Sequence, residues 1–313
     1  MQRGVSESPG RRLEEAPIVA LIGNTPLLPL RAESWGLGGV AVYAKAEWFN
    51  PGGSVKDRPA LWMIRAALDE GIYRKGMTLL DATSGNMGIA LAMLGAALGI
   101  PTKLVLPSNV SRTRQNILRS YRATLVSSDP LAGTDGAQRV ARRIHAEDPA
   151  AYLYLDQYNN AANMTAHHES TGPEILNQTE GEVTHFVAGV GTGGTLVGVG
   201  RRLKEENASI QIVGFQPAEP LHGIEGLKHM ETSLKPGIFD PSIQDKALLV
   251  ETEEAQRYAR LLAEREGLLV GTSSGAALAA ALRVAEDLQE GTIVTVFPDA
   301  GERYLSERYW EEG

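Results

Sequence analysis

The run Gly189-Val190-Gly191-Thr192-Gly193-Gly194-Thr195 stands between a short apolar stretch that reads as a strand and an amphipathic stretch that reads as a helix. Gly189, Gly191 and Gly194 fit the dinucleotide pattern G-x-G-x-x-G, a spacing that also recurs by chance. A dinucleotide site further requires an acidic residue about twenty positions on, at the end of the next strand. That strand ends near Phe215 and Gln216, and Glu219 comes too late to fill the role well. The turn is therefore read as a cradle for a single phosphate, with backbone N–H groups and the hydroxyls of Thr192 and Thr195 as donors. The bland alternative is a tight turn in which glycine only permits positive φ. Two more turns of similar composition, Thr83-Ser84-Gly85-Asn86-Met87-Gly88 and Gly271-Thr272-Ser273-Ser274-Gly275, suggest a ligand with more than one charged group.

Lys56 is the other chemical landmark. Asn50-Pro51-Gly52-Gly53 reads as a turn, and Ser54 as the cap of the helix that follows. Lys56 then falls in the first helical turn, where a cation opposes the helix dipole. An amine that is neutral and nucleophilic, or tied up in an imine, suits that position. Taken alone, these residues leave a solvated lysine as the alternative. The chain contains no cysteine, which excludes disulfides, cysteine-ligated metal centres and thiol nucleophiles. Lysine and serine remain the leading options for covalent catalysis. The pair His167-His168 has no partner at metal-ligand spacing and reads as structural, so no metal site is expected.

Around these turns, short apolar runs alternate with amphipathic ones. Strands are predicted over 77–82, 102–106, 123–127, 184–188, 211–215 and 292–297. Helices are predicted over 59–67, 88–99, 111–120, 135–145, 196–205, 252–266 and 274–288. Alternation of this kind predicts an α/β protein with mostly parallel sheets covered by helices. In such folds ligands gather where strands hand over to helices, which is where the glycine turns lie.

The 313 residues allow about two domains. A net charge of −8 argues against nucleic acid or an anionic membrane as a main partner. The longest apolar run, 87–100, is too short for a membrane span of ~20 residues and ends at Pro101. No targeting segment is evident, and the cytoplasm is the expected compartment.

The same motifs carry a resemblance. The run 50–58, the 83–88 turn, the segment Asp156-Gln157-Tyr158-Asn159-Asn160, the loop 191–195 and the turn 271–275 resemble the signature set of the cysteine synthases. The opening Ile22-Gly23-Asn24-Thr25-Pro26-Leu27 and the closing run 298–306 match as well. The resemblance spans about residues 20 to 308 and is closest to the cysteine synthase B branch. It implies a two-domain, tryptophan-synthase-β-like enzyme of pyridoxal-phosphate fold type II, working as a homodimer. Within it, Lys56 would hold pyridoxal 5'-phosphate as an imine and act as general base. Gly191, Thr192, Gly193, Gly194 and Thr195 would bind the cofactor phosphate, Asn86 the ring hydroxyl and Ser273 the pyridine nitrogen. Thr83, Ser84, the Asn86–Gly88 turn, with Met87 in it, and Gln157 would hold the amino-acid carboxylate.

The implied activity is a β-replacement that makes L-cysteine from O-acetylserine or O-phosphoserine with sulfide or thiosulfate, through an aminoacrylate. Rivals on the same scaffold are cystathionine formation and a diaminopropionate-type synthesis. Rivals of other classes are an NAD-dependent dehydrogenase and a non-catalytic binding protein. Met87 stands where the family usually carries threonine, so it either reshapes the substrate pocket or is a packing exchange. Lys228 stands near a position where the B branch tends to have arginine, and a cation there could meet an anionic leaving group; His222 and His229 are minor candidates for the same role. The expected organisation is a loose tail over 1–15 and a crossover segment over 16–40 that packs on the large domain. A smaller domain over 41–159 would carry Lys56 and the substrate loop, and a cofactor-phosphate domain would cover 160–313.

Overall fold

The structure is a computed structural model that describes residues 13–83 and 85–311. In chain order it forms β1 (Leu27–Pro29), α1 (Ala32–Trp35), β2 (Gly39–Ala46), α2 (Asp57–Asp69), β3 (Thr78–Ala82) and α3 (Asn86–Leu98). Next come β4 (Thr102–Pro107), α4 (Arg112–Ser120), β5 (Thr124–Ser128), α5 (Gly133–Glu147), β6 (Tyr152–Tyr154), α6 (Ala161–Ala166) and α7 (Gly172–Gln178). The chain closes with β7 (His185–Gly189), α8 (Gly194–Glu206), β8 (Gln211–Pro217), β9 (Lys246–Val250), α9 (Thr252–Glu266), α10 (Thr272–Ala285) and β10 (Glu290–Phe297). Every predicted strand and helix forms, with its bounds moved by a few residues. The largest consequence is at α3, which begins at Asn86 rather than at Gly88 and so puts Asn86 in its first turn.

Two compact units divide the chain. One combines the segment ending at Ile22 with Lys56–Gln157; the other combines Gly23–Val55 with the chain from Tyr158 onward. The stretch 41–55, predicted to belong with the smaller domain, lies instead in the second unit. The reason is that β2 runs parallel to β10 and hydrogen-bonds to it over its whole length. Residues 13–15, predicted as part of a loose tail, are helical, and Leu13 is buried; residues 1–12 lie outside the described chain.

In the first unit, β5, β4, β3 and β6 form a fully parallel sheet in that order. Leu80, Ala82 and Val105 pack against Ala137 and Ala141 of α5. The α3 sequence is apolar almost all round, as suits a helix buried on most of its faces.

In the second unit the sheet order is β1-β2-β10-β7-β8-β9, with only β1 antiparallel to its neighbour. Successive residues of one strand feed two cores, as the two-residue period of a strand requires. Val187, Ile293 and Phe215 join α9 and α10 on one face. Phe186, Val294 and Ile212 join Leu196 and Val199 of α8 on the other.

The strand β2 carries a lysine into this core. Lys45 is fully buried; its Nζ lies 2.6 Å from Glu174 Oε2 and donates to the Thr25 carbonyl at 2.6 Å and to Gln178 Oε1 at 2.9 Å. Beside it, Thr25 donates to Glu47 Oε1 at 2.7 Å, and Asn50 Nδ2 donates to Glu47 Oε2 at 2.9 Å. Gly23 N–H donates to Asn50 Oδ1 at 2.8 Å. The opening motif thus knits the turn that leads into the Asn50–Lys56 segment. Because removing one member of a buried ion pair strands the other, Lys45→Met should destabilise this unit by about 3–5 kcal/mol, read as a lowered urea midpoint.

Candidate active site

In the first unit, Lys56 occupies the N-cap position of α2 with αR backbone angles and no side-chain cap. Ser54, expected to be that cap, instead forms an isolated bridge with Asp299, while Val55 N–H donates to the Pro298 carbonyl at 2.8 Å. Lys56 is half-buried and is followed by the fully buried Asp57 and Arg58.

The 83–88 turn hands β3 over to α3. Thr83 Oγ1 accepts from Gly85 N–H at 3.0 Å and from Gly88 N–H at 3.3 Å, which leaves its own O–H to donate elsewhere. Asn86 opens the helix, and α3 carries no acidic residue in its first turn, so its positive dipole end is uncompensated. Gln157 joins this group: its Nε2 donates to the Ala82 carbonyl at 2.9 Å, next to Thr83. Thr83, Asn86 and Gln157 are thereby brought to one end of the sheet. Met87 is only 2 % exposed, as buried as Thr83 and Gln157 beside it. Ser84 lies outside the described residues.

In the second unit, β7 ends at Gly189 and α8 starts at Gly194, so the loop between them ends on a helix N-terminus. Val190 is pinned from both sides. Its N–H donates to the Phe215 carbonyl and its carbonyl accepts from Lys228 N–H, each at 2.9 Å. A Cβ on Gly191 would sit 2.1 Å from the Gly226 carbonyl oxygen, and one on Gly194 would sit 2.1 Å from Asn163 Oδ1. Thr192 Oγ1 accepts from Asn163 Nδ2 at 3.1 Å and from Gly194 N–H at 3.3 Å. No acidic residue stands in the first turn of α8. Ser273 lies in the first turn of α10 and is 6 % exposed.

Sequence reading missed one member of this loop's support. His167, read as a structural histidine, is buried behind α8, where its Nε2 lies 3.2 Å from Thr195 Oγ1 and its Nδ1 lies 2.9 Å from Thr171 Oγ1. The reason is that His167 precedes Thr195 by 28 residues and meets it only in the fold. His168 has a different setting, paired with Glu169 and Glu205 at the surface.

Lys228 is buried, with its Nζ 3.4 Å from the Leu234 carbonyl and 5.0 Å from the centre of the Tyr158 ring. His229 Nδ1 lies 2.9 Å from Thr232 Oγ1. Burial, and secondarily His229, holds His222 below the usual histidine range, so His222 is neutral near pH 7. The end of β8 offers Gln216, whose Oε1 accepts from Met230 N–H at 2.8 Å, where a dinucleotide ribose would require an acid.

A parallel α/β chain with a close-packed anion cradle at one helix start and a second receptive helix start defines a protein built around a phosphorylated ligand. Residues 18–299 match the model of a family described as pyridoxal-phosphate dependent enzyme. The cysteine synthase of Aquifex aeolicus is 53 % identical over 314 residues, covering 97 % of this chain and 94 % of that protein. Cysteine synthase B of Escherichia coli is 43 % identical over 285 residues, covering 91 % and 93 %. A crystal structure of cysteine synthase from Entamoeba histolytica has a TM-score of 0.88 at 34 % identity, covering 99 % of this chain and 94 % of that one.

The chain belongs to the family of pyridoxal-phosphate dependent enzymes, and its cofactor is pyridoxal 5'-phosphate. The dehydrogenase reading of Gly189–Gly194 is set aside by that match and by Gln216. The loop fits the cofactor's phosphate: backbone replaces side chains at Gly191 and Gly194, and α8 begins with no acid in its first turn. Gly191→Ala should push the loop off the Gly226 carbonyl and weaken cofactor binding by about tenfold or more, a loss of at least ~1.4 kcal/mol, measured by titrating the apoenzyme with pyridoxal 5'-phosphate.

Proposed function

We propose that the protein is a cysteine synthase that replaces the β-substituent of an activated serine, O-acetylserine or O-phosphoserine, with sulfide or thiosulfate. The observation that carries this reading is the coincidence of Lys56, the 83–88 turn and the 191–195 cradle in a chain so similar, over nearly its whole length, to proteins named cysteine synthase. Bound pyridoxal 5'-phosphate supplies an electron sink that eases loss of a proton from Cα and of a leaving group from Cβ.

The chain's own residues do the rest. Lys56 Nζ would hold the cofactor at its aldehyde carbon and, when free of it, would serve as the base for the Cα proton. Gly191, Thr192, Gly193, Gly194 and Thr195 would hold the phosphate, with His167 orienting the Thr195 hydroxyl. Asn86 would bind the ring hydroxyl. Ser273 would meet the pyridine nitrogen with a hydroxyl rather than a carboxylate, an arrangement that favours direct loss of a β-substituent. The substrate carboxylate is received by Thr83, Ser84, Gln157 and the N–H groups at the start of α3, a helix end suited to an anion.

Lys228 is the residue assigned to an anionic leaving group: its backbone N–H holds the Val190 carbonyl beside the phosphate loop, while its Nζ lies by the Leu234 carbonyl and the Tyr158 ring. A cytoplasmic homodimer completes the proposal.

The purified protein should be yellow, and borohydride should fix the cofactor on Lys56. Addition of O-acetylserine or O-phosphoserine should shift the visible absorbance, and sulfide should reverse the shift. Lack of a shift with either ester, together with turnover of another β-substituted amino acid, would move the assignment to cystathionine or diaminopropionate synthesis. Lys56→Ala should lower turnover by about 10³-fold or more, because it removes the general base.

A further inference from the structure

The first unit buries an acid that no step above uses. Asp81 lies on β3, two residues before Thr83, and is completely buried. Its Oδ1 accepts from Ala82 N–H at 2.8 Å, and the backbone N–H of Gln157 also bonds to its carboxyl group. Its Oδ2 is buried with no hydrogen-bond partner among the described residues. Gln157 answers with its side chain, donating to the Ala82 carbonyl at 2.9 Å. Asp156, the residue between β6 and Gln157, holds a positive φ of 43° and faces Asp81 with a second carboxyl group. Asp81 therefore sits where the two segments that frame the 83–88 turn are fastened to each other.

Among the described residues no cation bonds to it. Burial pushes the Asp81 carboxyl up to about 8; the Asp156 charge adds to the push, and the N–H groups of Ala82 and Gln157 oppose it. From β6, Tyr154 also faces the pair, and burial together with the two acids raises its phenol. From α5, Arg142 lies 3.9 Å from Asp156 Oδ2, and the His145 ring lies 5.7 Å from that of Tyr154. From β4, Lys103 bonds Tyr152. From α3 there is no titratable side chain.

We propose that Asp81 is a positioning residue whose uncharged carboxyl group fastens the end of β3 to the Asp156–Gln157 segment, so that loss of its proton loosens the 83–88 turn and weakens amino-acid binding. An uncharged carboxyl keeps an acceptor for Ala82 and Gln157 while sparing the fold a buried anion beside Asp156. A bare carboxylate there must reach solvent or push Asp156 away, and either movement pulls on Gln157. The sign follows: the proton is held below about pH 8 and released above it, so binding is lost on the alkaline side.

This inference rests on reading the turn as the amino-acid site, and the test separates the two. The holoenzyme is titrated with O-acetylserine between about pH 6 and pH 10. In the wild type the dissociation constant should rise by up to about tenfold per pH unit above the Asp81 transition. The ligand's own amino group loses its proton over the same range, which favours binding but also opens acetyl transfer from oxygen to nitrogen, so each reading is taken at once on freshly dissolved ligand, and a rise from ligand loss would persist in Asp81→Asn. Asp81→Asn keeps an uncharged acceptor and should bind as tightly as the wild type near neutrality, with the rise abolished. Asp81→Ala keeps no acceptor and should bind weakly throughout.

An alkaline rise retained in Asp81→Asn, or Asp81→Asn as weak as Asp81→Ala near neutrality, overturns the proposal. If O-acetylserine gives no response at any pH, the amino-acid reading fails. Amide exchange over 82–88 then decides the role of Asp81, and it should accelerate through the transition in the wild type but not in Asp81→Asn. If the variants do not fold, wild-type infrared spectra decide: a protonated-carboxyl band should be present near neutrality and gone at the alkaline end. Its absence near neutrality overturns the proposal.

Discussion

At the junction of β7 and α8 the backbone comes so near its neighbours that Gly191 and Gly194 have no room for a Cβ. That closeness leaves N–H groups as the surface of the loop, at the end of a helix whose dipole favours an anion. A phosphate is a natural ligand for such a surface. The surrounding elements are arranged to keep it so. The Gly226 carbonyl closes one side, Asn163 holds Thr192, and His167 meets Thr195 from behind. Val190 is bonded on both flanks. The second unit can be understood as a scaffold for this turn, with the parallel strands β7 and β8 setting where α8 begins.

The first unit repeats the logic with different side chains. There too a strand, β3, delivers the chain to a helix start, with Thr83 just after the strand and Asn86 opening the helix. Both units must also accommodate buried charge, and they do so differently. Lys45 is matched by Glu174 and two further oxygen acceptors, so it can remain a cation inside the protein. Asp81 has an acid for a neighbour and no cation bonded to it among the described residues, and the compensation proposed for it is a proton. A charge held by a partner is insensitive to pH over a wide range, whereas one held in check by a proton is not.

Six of the parallel strands, most of the helices and the three glycine turns were legible in the amino-acid order, because each depends on residues within a few positions of one another. A strand repeats every two residues and a helix every three or four, and a glycine turn carries its permission locally. Lys56 was legible for the same reason, as a lysine set against a helix start, although Ser54 turned out to bridge to Asp299 rather than cap α2. The strand β2 was not legible, since a lysine near its end contradicts a core strand until Glu174 is brought to it.

His167, Asp81 and the position of 41–55 required the fold. His167 gains its place from Thr195, Asp81 from Asp156 and Gln157, and β2 from β10. Met87 is shown by the fold to be a buried side chain of the first turn of α3, which the chain order alone does not reveal. The sequence by itself determined the class of fold and the glycine turn between β7 and α8, since these follow from short-range pattern and composition. Only the tertiary structure decided which buried polar groups support those features, because burial and charge compensation are properties of neighbours that the chain order leaves far apart.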